Sequence, residues 1–80
     1  MLKEHILNYK ELNPDILYYD LVKIFGLPLK ELFKLLNINN YKIKNKYINF
    51  YDTNGNRIYY EDSYGYRNKW EYDVNGNLIY

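Results

Sequence analysis

The chain has 80 residues, a net charge of +1, one histidine and no cysteine. That size allows one small domain with a modest core, and the missing thiols exclude disulfides, thiolate metal ligands and a cysteine nucleophile. The near-neutral charge argues against bulk electrostatic capture of nucleic acid, and no apolar run reaches membrane-spanning length.

The start, "MLKEHILNYK", lacks the uncharged apolar stretch of a secretory leader. A soluble, cytoplasmic protein beginning at Met1, with no membrane partner, is therefore expected. Tyr and Asn occur 12 times each, and with Lys and Ile they fill 41 of the 80 positions. These residue types are spelled by A/T-rich codons, so function has to be sought in where the tyrosines point rather than in their number.

Residues 2–11 place Leu2, Ile6 and Tyr9 along one helical face. "NPD" follows. Asn13 suits an N-cap, Pro14 the first helical position and Asp15 the positive helix end, which predicts a second helix from Pro14. Ile16, Leu17, Leu21, Ile24 and Phe25 form its apolar stripe, and Gly26 supplies a left-handed stop. A third helix over 28–37 opens at Pro28, with Leu29, Leu32, Phe33 and Leu36 apolar and Lys30, Glu31 and Lys34 outside. The Gly26 turn between two helices matches a helix-turn-helix pattern, with Val22, Leu32 and Leu35 at its apolar positions. Its second helix, however, offers only Lys30 and Lys34 as donors to a groove.

"YKIKNKY", residues 41–47, sets Lys42, Lys44 and Lys46 on one side of an extended segment. They read as gatekeepers on an edge strand or as contacts to phosphates or an acidic protein patch. Three tetrapeptides follow with Asp first and Gly fourth: Asp52–Gly55, Asp62–Gly65 and Asp73–Gly76. Asp accepts turn N–H groups and Gly takes positive φ, so each predicts a three-residue hairpin loop. The strands fall near 47–52, 56–62, 66–73 and 77–80. With regular pairing, one face holds Ile48, Phe50, Ile58, Tyr60, Trp70, Tyr72, Leu78 and Tyr80. The other holds Asn49, Tyr51, Arg57, Tyr59, Glu61, Arg67, Lys69 and Glu71, aligning Glu61 with Arg67 and Arg57 with Glu71. The expected fold is α+β: two to three N-terminal helices (1–40) packed on one face of a four-stranded antiparallel β-meander (41–80), as a single domain.

The run Tyr51-Asp-x-x-Gly-Asn, Asp62-Ser-x-Gly65, then Tyr72-Asp-x-x-Gly-Asn resembles the YD repeats of Rhs-type proteins over residues 51–80. Long arrays in that family build β-shells; one repeat and nine further residues imply the strand–turn geometry alone. In size, architecture and composition the chain also resembles anti-CRISPR proteins, small phage-type inhibitors that act by occlusion.

Catalytic constellations are not visible. His5 is the only histidine and Ser63 the only serine, which leaves no serine triad and no His/Cys metal site. Asp52-x-Asn54-Gly55 begins like a calcium loop but lacks its later Gly and Glu. No cofactor and no enzymatic activity are expected. What remains is surface: Tyr51, Arg57, Tyr59, Arg67 and Lys69 on the outward sheet face, with Lys42, Lys44 and Lys46 beside it. Tyr and Arg serve as binding hot spots, Tyr beside cations also stacks single-stranded bases, and an ordinary solvated β face carries Tyr for propensity alone.

The first functional reading is a non-enzymatic inhibitor of phage or mobile-element type. It would cover a host protein or ribonucleoprotein with that face. The alternatives are a helix-turn-helix DNA-binding regulator and a structural YD-repeat fragment. The last strand, 77–80, leaves an unpaired edge through which a homodimer can form.

Overall fold

The computed structural model describes residues 1–79. The chain is α+β, with three helices followed by a four-stranded antiparallel sheet. It forms two compact units, Met1–Asn39 and Asn40–Tyr80.

In the first unit, α1 spans Leu2–Leu12, α2 Tyr18–Phe25 and α3 Leu29–Leu35. Ile6, Leu21, Leu32 and Phe33 are fully buried, and aromatic edges close around them: Tyr9 meets Phe25 at 5.8 Å and Tyr18 meets Phe33 at 5.6 Å, both T-shaped. The second helix starts four residues later than the Pro14 expectation. Asn13 is not its N-cap. Asn13 closes α1, donating both its backbone N–H and its Nδ2 to the Tyr9 carbonyl at 3.0 Å. Pro14 and Asp15 then form a turn in which the Ile16 N–H donates to the Asn13 carbonyl at 3.0 Å. Proline's fixed φ serves the second position of a β-turn as well as the first turn of a helix, so one dipeptide fits both.

Gly26 ends α2 as expected, at φ 66°. Asn37 does the same after α3 at φ 58°, where the Ile38 N–H reaches the Phe33 carbonyl at 2.9 Å. Asn tolerates this left-handed position better than other residues with a Cβ.

In the second unit, β1 (Tyr41–Lys44), β2 (Tyr47–Tyr51), β3 (Arg57–Asp62) and β4 (Arg67–Lys69) pair in sequence order. The Lys segment is thus a full strand, turned into β2 by Asn45 and Lys46, with Asn45 at φ 24°. Conversely, the expected strand 77–80 is reduced to one bridge, Tyr72 to Leu78, and a backbone bond from Ile79 to Glu71 at 2.9 Å. Its expected partner for Trp70, Tyr80, lies outside the described residues. The continuous ladder stops at Lys69, and residues 77–79 of the expected edge form no strand.

The three reversals use one device. Asp52 Oδ1 accepts the N–H groups of Asn54 and Asn56, both at 2.9 Å. Asp62 Oδ1 takes those of Tyr64 and Tyr66 at 3.0 and 3.1 Å. Asp73 Oδ1 takes those of Asn75 and Asn77 at 2.9 and 2.8 Å. Gly55, Gly65 and Gly76 sit at φ 85°, 99° and 85°.

Register is where expectation and structure part. Asp52 bonds Asn56 and Tyr51 pairs Arg57, but the next pairs are Phe50–Tyr59, Asn49–Tyr60 and Ile48–Glu61. A β-bulge leaves Ile58 as the extra residue, and side-chain parity reverses beyond it. Across β3 and β4 the expected pairing holds: Tyr60–Asn68, Glu61–Arg67, and the Trp70 N–H on the Ile58 carbonyl at 3.0 Å. Because pairing is transitive, the whole far half of the sheet is turned over relative to β2. The face carrying Ile48 and Phe50 therefore also carries Tyr59, Glu61, Arg67 and Lys69. Tyr60 and Trp70 fall on the face opposite Phe50, not beside it.

Candidate binding face

The inverted parity sorts the expected contact residues into two groups. Tyr59 is only 7% exposed and stacks on Phe50 at 5.2 Å, so it is a core residue rather than a surface one. Its hydroxyl donates to Glu61 Oε1 at 2.6 Å, and Glu61 is fully buried. Arg67 and Lys69 share that face by register, with Arg67 directly across from Glu61. Tyr51, Arg57, Lys42 and Lys44 lie together on the other face, and Lys46 sits in the β1–β2 turn at its end.

Tyr60 and Trp70, which the expected pairing turns inward, join this second face with Tyr47 and Tyr66. Tyr47 and Tyr60 are diagonal neighbours at 5.8 Å, and Tyr60 continues to Tyr66 at 5.8 Å. The Arg57 guanidinium lies 4.3 Å from the Trp70 ring and 5.9 Å from Tyr60. The contact is attractive because the ring faces carry negative quadrupole density. Lys42 Nζ stands 5.8 Å from the Tyr51 ring. At the turn end, Lys46 Nζ donates to the Tyr64 hydroxyl at 3.2 Å.

The backbone beneath Arg57 is tied down by Tyr72, whose hydroxyl donates to the Arg57 carbonyl at 2.9 Å. Arg57 as a whole is exposed.

Arg57, Tyr60, Tyr66, Asn68 and Trp70 line a recess of about 260 Å³. On the other side of the indole a second recess of about 540 Å³ is walled by Asp52 and Asp73 of the turns and by Glu71, among others. Trp70 is the shared wall. Burial among its neighbours, then the charge of Asp62, raises the pKa of the Tyr60 hydroxyl, which donates to Asp62 Oδ2 at 3.3 Å. The Tyr60 ring is therefore held neutral and hydrogen-bonded at ordinary pH. Below the rings lies Asn49, 7% exposed, whose Oδ1 has no hydrogen-bond partner.

The signal for this face was present but pointed the wrong way. The true register buries Glu61, and a reading that keeps charges outside rejects it. Elsewhere, Lys30, Glu31 and Lys34 are exposed on α3, a helix of seven residues. Among the described residues there is no group of three or more metal-ligating side chains, and no helix is long and apolar enough to cross a membrane. No protein-family model matches the chain, and neither a curated protein nor a solved structure is significantly similar to it.

Proposed function

We propose that this protein is a non-enzymatic binding protein that acts by covering a functional surface of a partner with the Tyr/Trp/Arg face of its sheet. The observation that carries this reading is the stack of Arg57 on Trp70 at 4.3 Å, beside the Tyr47–Tyr60–Tyr66 series. Arg, Tyr and Trp dominate binding hot spots because they combine large contact area with directional donors. Here the rings hold one another in place before a partner arrives, which lowers the ordering cost of association. An occluding inhibitor of phage or mobile-element type is the form of this activity that the chain's size favours.

The test is co-purification from a bacterial lysate with wild type, Arg57→Glu, Tyr66→Ala and Lys30→Glu/Lys34→Glu, each checked for fold by circular dichroism. One defined partner should be retained by wild type and by the α3 double variant, and lost by the two sheet variants. Retention by the sheet variants with loss in the α3 variant would instead select the helix-turn-helix regulator.

A further inference from the structure

Resting on that binding-face reading, we infer that the partner group is single-stranded nucleic acid: bases stack on Tyr60, Tyr66 and Trp70, and phosphates meet Arg57 and the β1 lysines. Three observations converge. The first is charge. Lys42, Lys44 and Arg57 are exposed on this face, with Lys46 at its end. Asp62, which register places on this face, has Oδ1 filled by two backbone N–H groups and Oδ2 by the Tyr60 hydroxyl. Asp52 and Asp73 are likewise occupied inside their turns. These three carboxylates are directed into their turns, and Glu71 lies on the far side of the indole, while the Lys and Arg side chains of this face are exposed, although the whole chain carries only +1. That favours a local polyanion contact over long-range capture.

The second is ring supply. Tyr66 is 59% exposed and Tyr64 78%, so ring faces remain open beside a recess of about 260 Å³. That lies just under the roughly 300 Å³ at which drug-sized pockets begin and suits one planar heterocycle. Every base has a π-face, so aromatic platforms of this kind bind strands without reading sequence. The third is dimension. Three inter-strand steps of about 4.8 Å make the face about 14 Å wide, room for a short single-stranded segment whose bases lie on the rings. A strand laid across the sheet runs from the β1 lysines, over Tyr47 and Tyr60, to Arg57 and Trp70.

The chain's single Trp makes the test direct. Fluorescein-labelled dT12, rU12 and a duplex of equal length are titrated with the full chain by anisotropy, while Trp70 emission is followed with unlabelled strands. Both single strands should bind in preference to the duplex and quench Trp70. With three to four phosphates engaged, the slope of log K against log salt should be about −2 to −3. Tyr66→Ala and Arg57→Ala should each weaken binding about tenfold or more, and Lys30→Glu/Lys34→Glu should leave it unchanged. Absence of saturable anisotropy and of quenching overturns the inference, as does equal affinity for the duplex. Should the strands fail while an Arg57-dependent partner survives nuclease treatment of the lysate, the nucleic-acid inference is wrong and the face binds protein; loss of that partner as well removes the binding-face reading itself.

Discussion

Tyr59→Phe separates the observed strand register from the regular one. The substitution removes one oxygen and leaves the ring stacked on Phe50 at 5.2 Å. What disappears is a 2.6 Å donation to Glu61, a side chain with no exposed surface. A hydrogen bond to a charged group contributes about 1.5–3 kcal/mol. We therefore expect a loss of about 2 kcal/mol, a large fraction of the total for so small a domain. At about 4–8 °C per kcal/mol for this chain length, the midpoint should fall by about 8–16 °C. Thermal unfolding measures the midpoint and urea denaturation followed by Trp70 emission measures the free-energy loss, with an unchanged m-value indicating that the folded state keeps its compactness. The control is Tyr66→Phe, at a position 59% exposed, which should stay within about 0.5 kcal/mol of wild type. A Tyr59→Phe loss as small as the control's would mean that this hydroxyl faces water. The bulge at Ile58, and with it the composition of the binding face, would then be refuted.

Three further outcomes follow from the same geometry. Gly55→Ala should cost about 1–2 kcal/mol in thermal denaturation, because φ 85° penalises any Cβ, although the added methyl would meet no atom within 4 Å; a neutral result would show that the turn relaxes. Asn49→Val should raise stability by about 1 kcal/mol by removing an orphaned buried acceptor from a strand, and a loss of similar size would show that Oδ1 has a partner in solution. The Asn77 backbone N–H, with those of Asn75 and Gly76, lowers the Asp73 pKa. Its folded value is below its unfolded one, so the stabilisation is fully present above the ordinary carboxylate range and is lost as pH falls through the folded value. Asp73→Asn should therefore flatten the acid limb of the stability–pH curve, and an unchanged limb would assign acid unfolding to other groups.

The parts of the fold legible in sequence are those set by neighbours in the chain. Asp52, Asp62 and Asp73 declare their turns because a side chain two residues from its N–H partner needs no tertiary help. Gly26 declares the end of α2 for the same reason. What was not legible depends on competition between equally good local options. Asn13 can cap a helix that follows or close the one before, and Tyr9 settled the choice. Asn45 at φ 24° made a hairpin of the Lys segment without an Asp–Gly signature. The bulge at Ile58 leaves no local mark. It is selected by what the paired strands bury together, here Phe50 on Tyr59 and Tyr59 on Glu61. The binding face inherited that error: Arg57, Tyr51, Lys42 and Lys44 were placed together, while Tyr60 and Trp70 were assigned to the interior.

The supernumerary residue at Ile58 makes strand register, more than residue identity, the guardian of this molecule's exterior. A one-codon deletion there would leave Tyr51–Arg57 and Phe50–Tyr59 as consecutive pairs of a regular ladder, with tyrosine 59 still inside and arginine 57 and tryptophan 70 still outside, whereas ironing out the bulge with the residue retained would swap the two sides of every strand that follows. A descendant of this sequence can therefore exchange ring for ring and cation for cation along its outer surface with little consequence. A slip of register between the first two Asp–Gly corners, with the number of residues unchanged, would erase that surface at a stroke.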